Sequence, residues 1–409
     1  MNVTEENQEN TFMLKRNIPN ILLAILSFIL FYYVAEYAYR VYYYSRMTKT
    51  DGFLLVPIKD KPLYIFDQAI GYRRSPYLDA EIKTFDGTGS LVRSSNIKTN
   101  NFGRFSPTDD QLLKPETEYR IAILGDSFTG GHLNAIPWPT ALEGALNKND
   151  GLKKSLGVAS FKVLNFGMEA TGFVQWESVY KYDVARFHPD LVLIDFITDD
   201  ITRKFVWRDS LSLSSSNYSA SLLCTSLPAS LENRDCELSG MIFMNSNASG
   251  SAQERAGVLQ ELVSIELKRL PWLSPYPDLL ARALGYRFGL KPIFSPYYQS
   301  HFNQEEGLAA SQKALTTIVG THPNLLVLHN PIYEELIAGK TPSIVLDLIK
   351  ANPKLDIQLM STDLPALDSV GRDEIRGWFN PDNGHFTPHG VDIYSRVVAQ
   401  LIYARLLKR

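Results

Sequence analysis

Four short apolar segments, each ending at a glycine or at polar residues, constrain the fold of this chain more than any other feature. They comprise residues 119–124, 161–166, 191–197 and 325–328. Near-continuous apolar runs of this length are typical of strands buried on both faces of a parallel sheet. Helix-length segments lie between them, at residues 140–147, 176–186 and 304–319. The alternation predicts an α/β fold with three layers, an open parallel sheet with helices on both faces.

The first of these segments leads into a candidate nucleophile. It ends in Gly125-Asp126-Ser127, which places a serine at a strand-to-helix junction. In open α/β sheets the active site lies at the carboxyl ends of the strands, and a helix N-terminus offers backbone N–H groups to an oxyanion. The tripeptide alone is a weak signal, but its position predicts that Ser127 is the nucleophile of an acyl-transfer enzyme.

A serine nucleophile requires a base, and the base requires an orienting carboxylate. Among seven histidines, His385 is the one with an acidic residue three positions earlier, Asp382. A tight turn at Pro381–His385 can return this carboxylate to Nδ1 and leave Nε2 to accept the serine proton. The alternatives are that His385 is an ordinary surface-turn histidine or that His389 is the base.

Two further strand ends carry candidate oxyanion-hole residues. Gly167 follows the second strand, where the lack of a side chain permits close approach of a substrate, although a plain turn glycine is equally compatible with it. Asp199 follows the third strand within Thr198-Asp199-Asp200. The ordinary interpretation of both aspartates is a strand-end turn or a helix cap.

These blocks resemble the SGNH or GDSL hydrolase superfamily over roughly residues 116–409. That superfamily has four short sequence blocks. This chain is similar to the first block at Gly125-Asp126-Ser127, to the second at Gly167 and to the fourth at Asp382 with His385. The resemblance implies a flavodoxin-like SGNH fold, a triad of Ser127, His385 and Asp382, and an oxyanion hole with Gly167 and Asp199. The third block departs from the pattern, because Asp199 stands where the family has an asparagine. An ionised aspartate cannot donate, so either Asp199 is protonated through burial or the backbone N–H groups of Ser127 and Gly167 suffice.

The flanking sequence at residues 119–129, and more weakly Asn100–Arg104, resembles a membrane-anchored branch of this superfamily. That branch is associated with polysaccharide export or modification machinery. The resemblance implies an acyl esterase or O-acyltransferase acting on acylated, commonly O-acetylated, glycans. Because of Asp199, the alternative is a silent SGNH-like module that binds glycan or joins an assembly complex. A lipase is a third candidate.

The N-terminal region predicts a membrane anchor. Residues 18–35 carry no charge, and continuation through Tyr39 gives about 22 residues, or roughly 33 Å of helix. A cleaved signal peptide is the rival interpretation. Cys224 and Cys236 are the two cysteines, and their proximity favours a disulfide in an oxidising compartment over two unpaired thiols. We therefore expect a single-pass membrane protein with an extracytoplasmic catalytic domain.

The predicted domain order has three parts. Residues 1–45 form the N-terminal tail and anchor, residues 46–115 an extended arm or small subdomain, and residues 116–409 the catalytic domain, with a partly helical insertion at about 205–300. The net charge of −3 and the lack of a basic cluster argue against a nucleic-acid partner. The sequence shows no metal-ligand spacing, and no cofactor is expected.

Overall fold

The computed structural model describes residues 19–35, 37–38, 53–58, 61–85, 91–131, 134, 136–214, 217–227, 236–245, 247–269, 300–360, 372–380 and 384–407. The chain divides into two compact units. The larger unit comprises residues 53–85, 91–249 and 298–409, and the smaller unit residues 1–52, 86–90 and 250–297.

Thirteen strands lie within the described residues: β1 Phe53–Ile58, β2 Tyr64–Asp67, β3 Gly71–Arg74, β4 Asp79–Phe85, β5 Leu91–Lys98, β6 Glu118–Gly125, β7 Ser160–Asn165, β8 Leu191–Phe196, β9 Trp207–Ser212, β10 Tyr218–Cys224, β11 Cys236–Asn245, β12 Leu325–His329 and β13 Ile357–Leu359. Apart from the helical residues near the N-terminus, the helices of the described residues are α1 Ser127–Gly130, α2 Trp138–Asn147, α3 Asp150–Leu156, α4 Phe173–Tyr182, α5 Ala252–Arg269, α6 Gln304–Thr321, α7 Tyr333–Ala338, α8 Ser343–Ala351, α9 Arg372–Arg376 and α10 Pro388–Leu407. Two short 3₁₀ helices span Val184–Phe187 and Thr198–Ile201.

Five strands form a parallel sheet in the order β13-β12-β8-β6-β7. The four predicted strands are its β6, β7, β8 and β12, and β13 is an addition of three residues at one edge. Every residue of β8 and β12 is buried, as expected for strands covered on both faces. The prediction of an α/β fold built on a parallel sheet is confirmed.

The alternation of side chains along these strands gives the sheet two separate cores. On one face, Ala122 and Leu124 of β6 and the matching residues of β8 and β12 pack against α4, α6 and α8. On the other face, Ile121 and Ile123 pack against α2, α3 and α10. The sheet therefore lies between two helical layers, which is the predicted three-layer arrangement.

The helices that cover the sheet begin at recognisable caps. Asn303 Oδ1 accepts the N–H of Glu306 at 2.9 Å at the start of α6, and acidic residues occupy the first turn. Thr387 Oγ1 accepts the N–H of Gly390 at 3.1 Å before α10, where Pro388 takes the first helical position. The cap at Thr387 fixes where the chain leaves the loop that carries His385.

A second sheet of six strands has the order β5-β4-β1-β11-β10-β9. Its strands come from both the predicted arm and the predicted insertion. β1 of the arm pairs in parallel with β11 of the insertion and so joins the two segments in one sheet. The insertion, predicted to be partly helical, thus also contributes strands, and α5 is its described helix. A disulfide joins Cys224 of β10 to Cys236 of β11, which face each other in the ladder.

The Asn100–Arg104 stretch fastens the arm to the parallel-sheet domain. Asn100 Oδ1 accepts the N–H groups of Phe102 and Arg104, at 3.0 and 3.1 Å. The buried Arg104 guanidinium lies over the rings of Phe102, Phe166 and Phe187 and bonds Asp110 at 2.8 Å. This motif therefore has a structural role in the larger unit.

In the smaller unit, residues 19–35 and 37–38 are helical. Many of their apolar side chains are exposed, and Phe28 and Phe31 are about 70% accessible. Within the described ranges, no helix combines the length and the apolar character that a membrane crossing requires. The predicted anchor remains a prediction.

Candidate active site

Ser127 lies at the end of β6, as the first residue of α1, and is half-buried. Asp126 caps this helix, since its Oδ1 accepts the N–H of Phe128 at 2.8 Å. The turn requires glycine at position 125, where a Cβ atom would lie 2.1 Å from Thr129 Oγ1. These contacts fix the serine at the carboxyl edge of the sheet, where the sequence predicts it.

His385 reaches this serine from a loop 258 residues further along the chain, with its Nε2 2.8 Å from Ser127 Oγ. Phe128 stacks on the imidazole, with ring centroids 4.7 Å apart. The loop is closed by two backbone bonds with Asn380, from its N–H to His385 O at 2.7 Å and from Gly384 N–H to its carbonyl at 2.8 Å. The distance is that of a hydrogen bond between the hydroxyl and the imidazole, which is the arrangement that a serine nucleophile and its base require.

His389 and Asp382 are the other two residues that the sequence offers, the first as a rival base and the second as the carboxylate that orients the base. His389, the rival base, is exposed on the first turn of α10. Asp382, the predicted orienting carboxylate, lies outside the described residues. Its role stays a prediction.

Gly167 follows β7 and packs closely against α1. A Cβ atom at this position would lie 2.3 Å from Gly130 N, so the approach of the two segments requires glycine. The N–H of Gly167 donates to Asn165 Oδ1 at 2.9 Å, and Asn165 Nδ2 donates to Thr129 O at 3.1 Å. An oxyanion at this N–H would therefore have to compete with Asn165, and the donor role of Gly167 stays a prediction.

The two aspartates after β8 lie in different environments. Asp199 is exposed, so it does not experience the burial that a neutral, donating carboxyl would require. Asp200 is fully buried, and its Oδ2 accepts the N–H of Ile197 at 2.9 Å. Burial, reinforced by the charge of Asp126, raises the pKa of Asp200 although Arg203 opposes the shift.

Arg203 joins the carboxylates around the serine and was not singled out by sequence. Its Nη1 lies 3.3 Å from Asp126 Oδ2 and 3.2 Å from Thr171 O, and it forms a 2.8 Å ion pair with Asp200 Oδ1. Burial opposes the guanidinium charge, but Asp200 and Asp126 outweigh burial and raise the pKa of Arg203. A cation therefore lies directly behind the Ser127 turn.

Asp195, inside β8, is a second buried group beneath the site. It accepts hydrogen bonds from Thr129 Oγ1 at 2.9 Å, from the Tyr394 hydroxyl and, weakly, from Asn330 Nδ2 at 3.4 Å. Burial raises the pKa of Asp195 from its ordinary value of 3.8 to about 7. The carboxyl ties α1 to α10 across the end of β8.

The raised pKa of Asp195 predicts a pH dependence of stability. The folded protein holds this proton to about pH 7, whereas the unfolded chain releases it near pH 4. Its contribution is therefore complete below about pH 4 and is lost as the pH rises through about 7. The Asp195→Asn variant should lack this dependence, so urea unfolding at pH 4 to 7.5 should show wild type losing stability relative to the variant. A constant difference between the two proteins across this range would contradict the assignment.

Thr198, His329 and Glu335 brace the turn that carries Asp199. Thr198 Oγ1 donates to Glu335 Oε1 at 2.6 Å and lies 3.1 Å from His329 Nε2. Burial lowers the pKa of His329 to about 4. His329 is therefore neutral at pH 7 and supplies no positive charge to the site.

Comparisons with solved structures give matches of low sequence identity and low TM-score. No family model and no curated protein matches this chain. A lipase/acylhydrolase from Enterococcus faecalis has 12% identity and a TM-score of 0.33, over 70% of this chain and 96% of its own. A two-domain esterase active on acetylated mannans has 15% identity and a TM-score of 0.37, over 71% of this chain and 50% of its own. An acetylxylan esterase from Geobacillus stearothermophilus, solved as a catalytic mutant, has 10% identity and a TM-score of 0.36, over 71% and 96%. The assignment of the site rests on its own geometry.

Proposed function

We propose that this chain is a serine-dependent acyl esterase or O-acyltransferase. The observation that carries the proposal is the 2.8 Å contact between Ser127 Oγ and His385 Nε2 at the carboxyl edge of the parallel sheet. This distance is that of a hydrogen bond through which a base can take the serine proton. The two residues are distant in sequence, and both are held by buried neighbours.

In the proposed reaction, Ser127 Oγ attacks the carbonyl carbon of an ester while its proton passes to His385 Nε2. The tetrahedral intermediate collapses when the bond to the leaving alcohol breaks, and His385 returns the proton to that oxygen. The acyl group then sits on Ser127 as an ester. Water or a sugar hydroxyl attacks it next, His385 takes and returns a proton again, and the serine is regenerated.

Charge that develops on the carbonyl oxygen requires hydrogen-bond donors. The proposed donors are the backbone N–H groups of Ser127 and Gly167, with Asp382 holding the imidazole in the required tautomer. The exposed position of Asp199 favours backbone donation over a protonated carboxyl. Loss of one oxyanion donor costs about 10² to 10³ in rate, so two backbone donors are compatible with an active enzyme.

The proposed substrate class is an O-acetylated glycan, and this step rests on the sequence resemblance at residues 119–129. Release of acetate from acetylated polysaccharides should be compared with hydrolysis of long-chain lipid esters, with and without added sugar acceptor. Acetate release supports the esterase, and acetyl transfer to the sugar supports the transferase. Activity confined to long-chain esters would contradict the glycan assignment.

A catalytically silent glycan-binding or assembly module is the second candidate, and Asp199 at the third block is the observation that favours it. Such a module would retain glycan on an affinity column without turnover of p-nitrophenyl acetate. Turnover that depends on Ser127 would exclude it.

We further propose that the N-terminal apolar segment anchors the protein and that the larger unit is extracytoplasmic, beside polysaccharide export or modification machinery. The disulfide between Cys224 and Cys236 supports an oxidising compartment. Protease added to intact cells should digest the larger unit. Protection of that unit until lysis would contradict this location.

A further inference from the structure

We propose that Arg203 is a positioning residue for Ser127, which holds the Asp126 carboxylate so that the serine hydroxyl serves His385. This inference rests on the proposed esterase function. Among the described residues, the polar contacts of Arg203 are with Asp126, Thr171 and Asp200, and none is with Ser127 or His385. Arg203 acts through Asp126, the residue that immediately precedes the nucleophile.

Two acceptors compete for the serine hydroxyl. His385 Nε2 lies 2.8 Å from Ser127 Oγ, and Asp126 Oδ2 lies 3.4 Å from the same atom. Only a proton shared with His385 leads to attack, because Asp126 offers no route to the leaving group in the proposed reaction. A small rotation of the Asp126 side chain toward Ser127 would therefore favour the unproductive bond.

The structure holds both oxygens of Asp126. Its Oδ1 accepts the N–H of Phe128 at 2.8 Å, and its Oδ2 lies 3.3 Å from Arg203 Nη1. Arg203 is itself fixed by the ion pair with Asp200 and by the carbonyl of Thr171. The guanidinium thus restrains the oxygen that competes with the imidazole.

Arg203 also balances charge at the site. Asp126 and Asp200 are 1% and 0% exposed, and Arg203 lies within ion-pair distance of both. The charge of Asp199 also acts on Arg203 and favours its protonated form. His301 pairs with Arg203 in an antiparallel backbone bridge, and burial together with the guanidinium lowers the pKa of His301 to about 4. Without the guanidinium, the buried Asp126 carboxylate would lack its ion-pair partner and would oppose the oxyanion that forms beside Ser127.

The test measures kcat and KM for p-nitrophenyl acetate in the full chain with Arg203 replaced. Arg203→Gln should lower kcat about 10²-fold, a loss of the size seen when one site contact that stabilises the transition state is removed, with KM changed little. Arg203→Lys, which keeps the charge, should recover at least tenfold of this loss. The double variant Arg203→Gln with Asp200→Asn should have a higher kcat than Arg203→Gln alone, because it also replaces the buried acidic side chain that loses its ion-pair partner.

Arg73→Gln is the matched control. Arg73 also contacts two carboxylates, Asp67 at 2.6 Å and Asp183 at 3.6 Å, but lies on the β2–β3 hairpin. The Arg73→Gln variant should keep the kcat of the wild-type protein. Thermal unfolding of each variant separates misfolding from a rate effect, and the lysine and double variants still test the idea if Arg203→Gln does not fold.

Wild-type kcat in Arg203→Gln would overturn the inference. Equal losses in the glutamine, lysine and double variants would also overturn it, because they would show a structural role only. Failure of the proposed function is distinguishable, since in that case the wild-type protein itself neither turns over the ester nor depends on Ser127.

Discussion

Replacement of Ser127 by alanine should lower kcat/KM for p-nitrophenyl acetate by about 10⁴-fold or more. The variant loses the oxygen that lies 2.8 Å from His385 Nε2, and with it the acyl-enzyme route. The side chain is small and half-buried, so the fold should be retained. Initial rates of p-nitrophenol release measure the effect.

Ser106→Ala provides the control for this variant. Ser106 lies in the arm loop, where its hydroxyl donates to Thr108 O at 3.0 Å. It should keep wild-type activity. Full activity in Ser127→Ala would contradict the mechanism.

Replacement of His385 by alanine should lower kcat by about 10³-fold or more, with little change in KM. The imidazole takes the proton from Ser127 and returns it to the leaving alcohol, so its loss affects chemistry rather than binding. Circular dichroism and the thermal midpoint check that the Phe128 contact is not required for folding. Steady-state kinetics measure the split between kcat and KM.

His389→Ala is the matched control, because this histidine lies four residues on and is exposed. It should leave kcat within about twofold of wild type, as surface substitutions away from a site usually do. A large loss in His389→Ala together with an active His385→Ala would assign the base to the other histidine.

The parallel sheet and the serine–histidine pair were predictable because their signals are local. β6, β8 and β12 contain near-continuous apolar runs, and such runs have few alternatives to a strand buried on both faces. Ser127 and His385 were recognised from short motifs and from the rule that strand ends converge. Asp195 also carries a local signal, because it is a charged residue inside the apolar run of β8, but that signal does not indicate its partners.

The six-stranded sheet and the contact between Arg203 and Asp126 were not predictable from local sequence patterns. β1 pairs with β11 across more than 180 residues, for example Leu54 with Met241, and neither strand shows a clean alternation that would specify a partner. Arg203 lies 77 residues from Asp126 and follows an ordinary 3₁₀ turn, so nothing in its own segment marks the contact. Pairing over such separations is decided by tertiary packing.

Labelling of the full chain with a fluorophosphonate probe, followed by peptide mass spectrometry, tests the central claim most directly. Such a probe bonds covalently to a serine activated by a base. With Ser127 as the nucleophile, one adduct should form on the peptide that contains Ser127, and it should be lost in Ser127→Ala and form more slowly in His385→Ala. A folded wild-type protein that forms no adduct at Ser127 would contradict the claim.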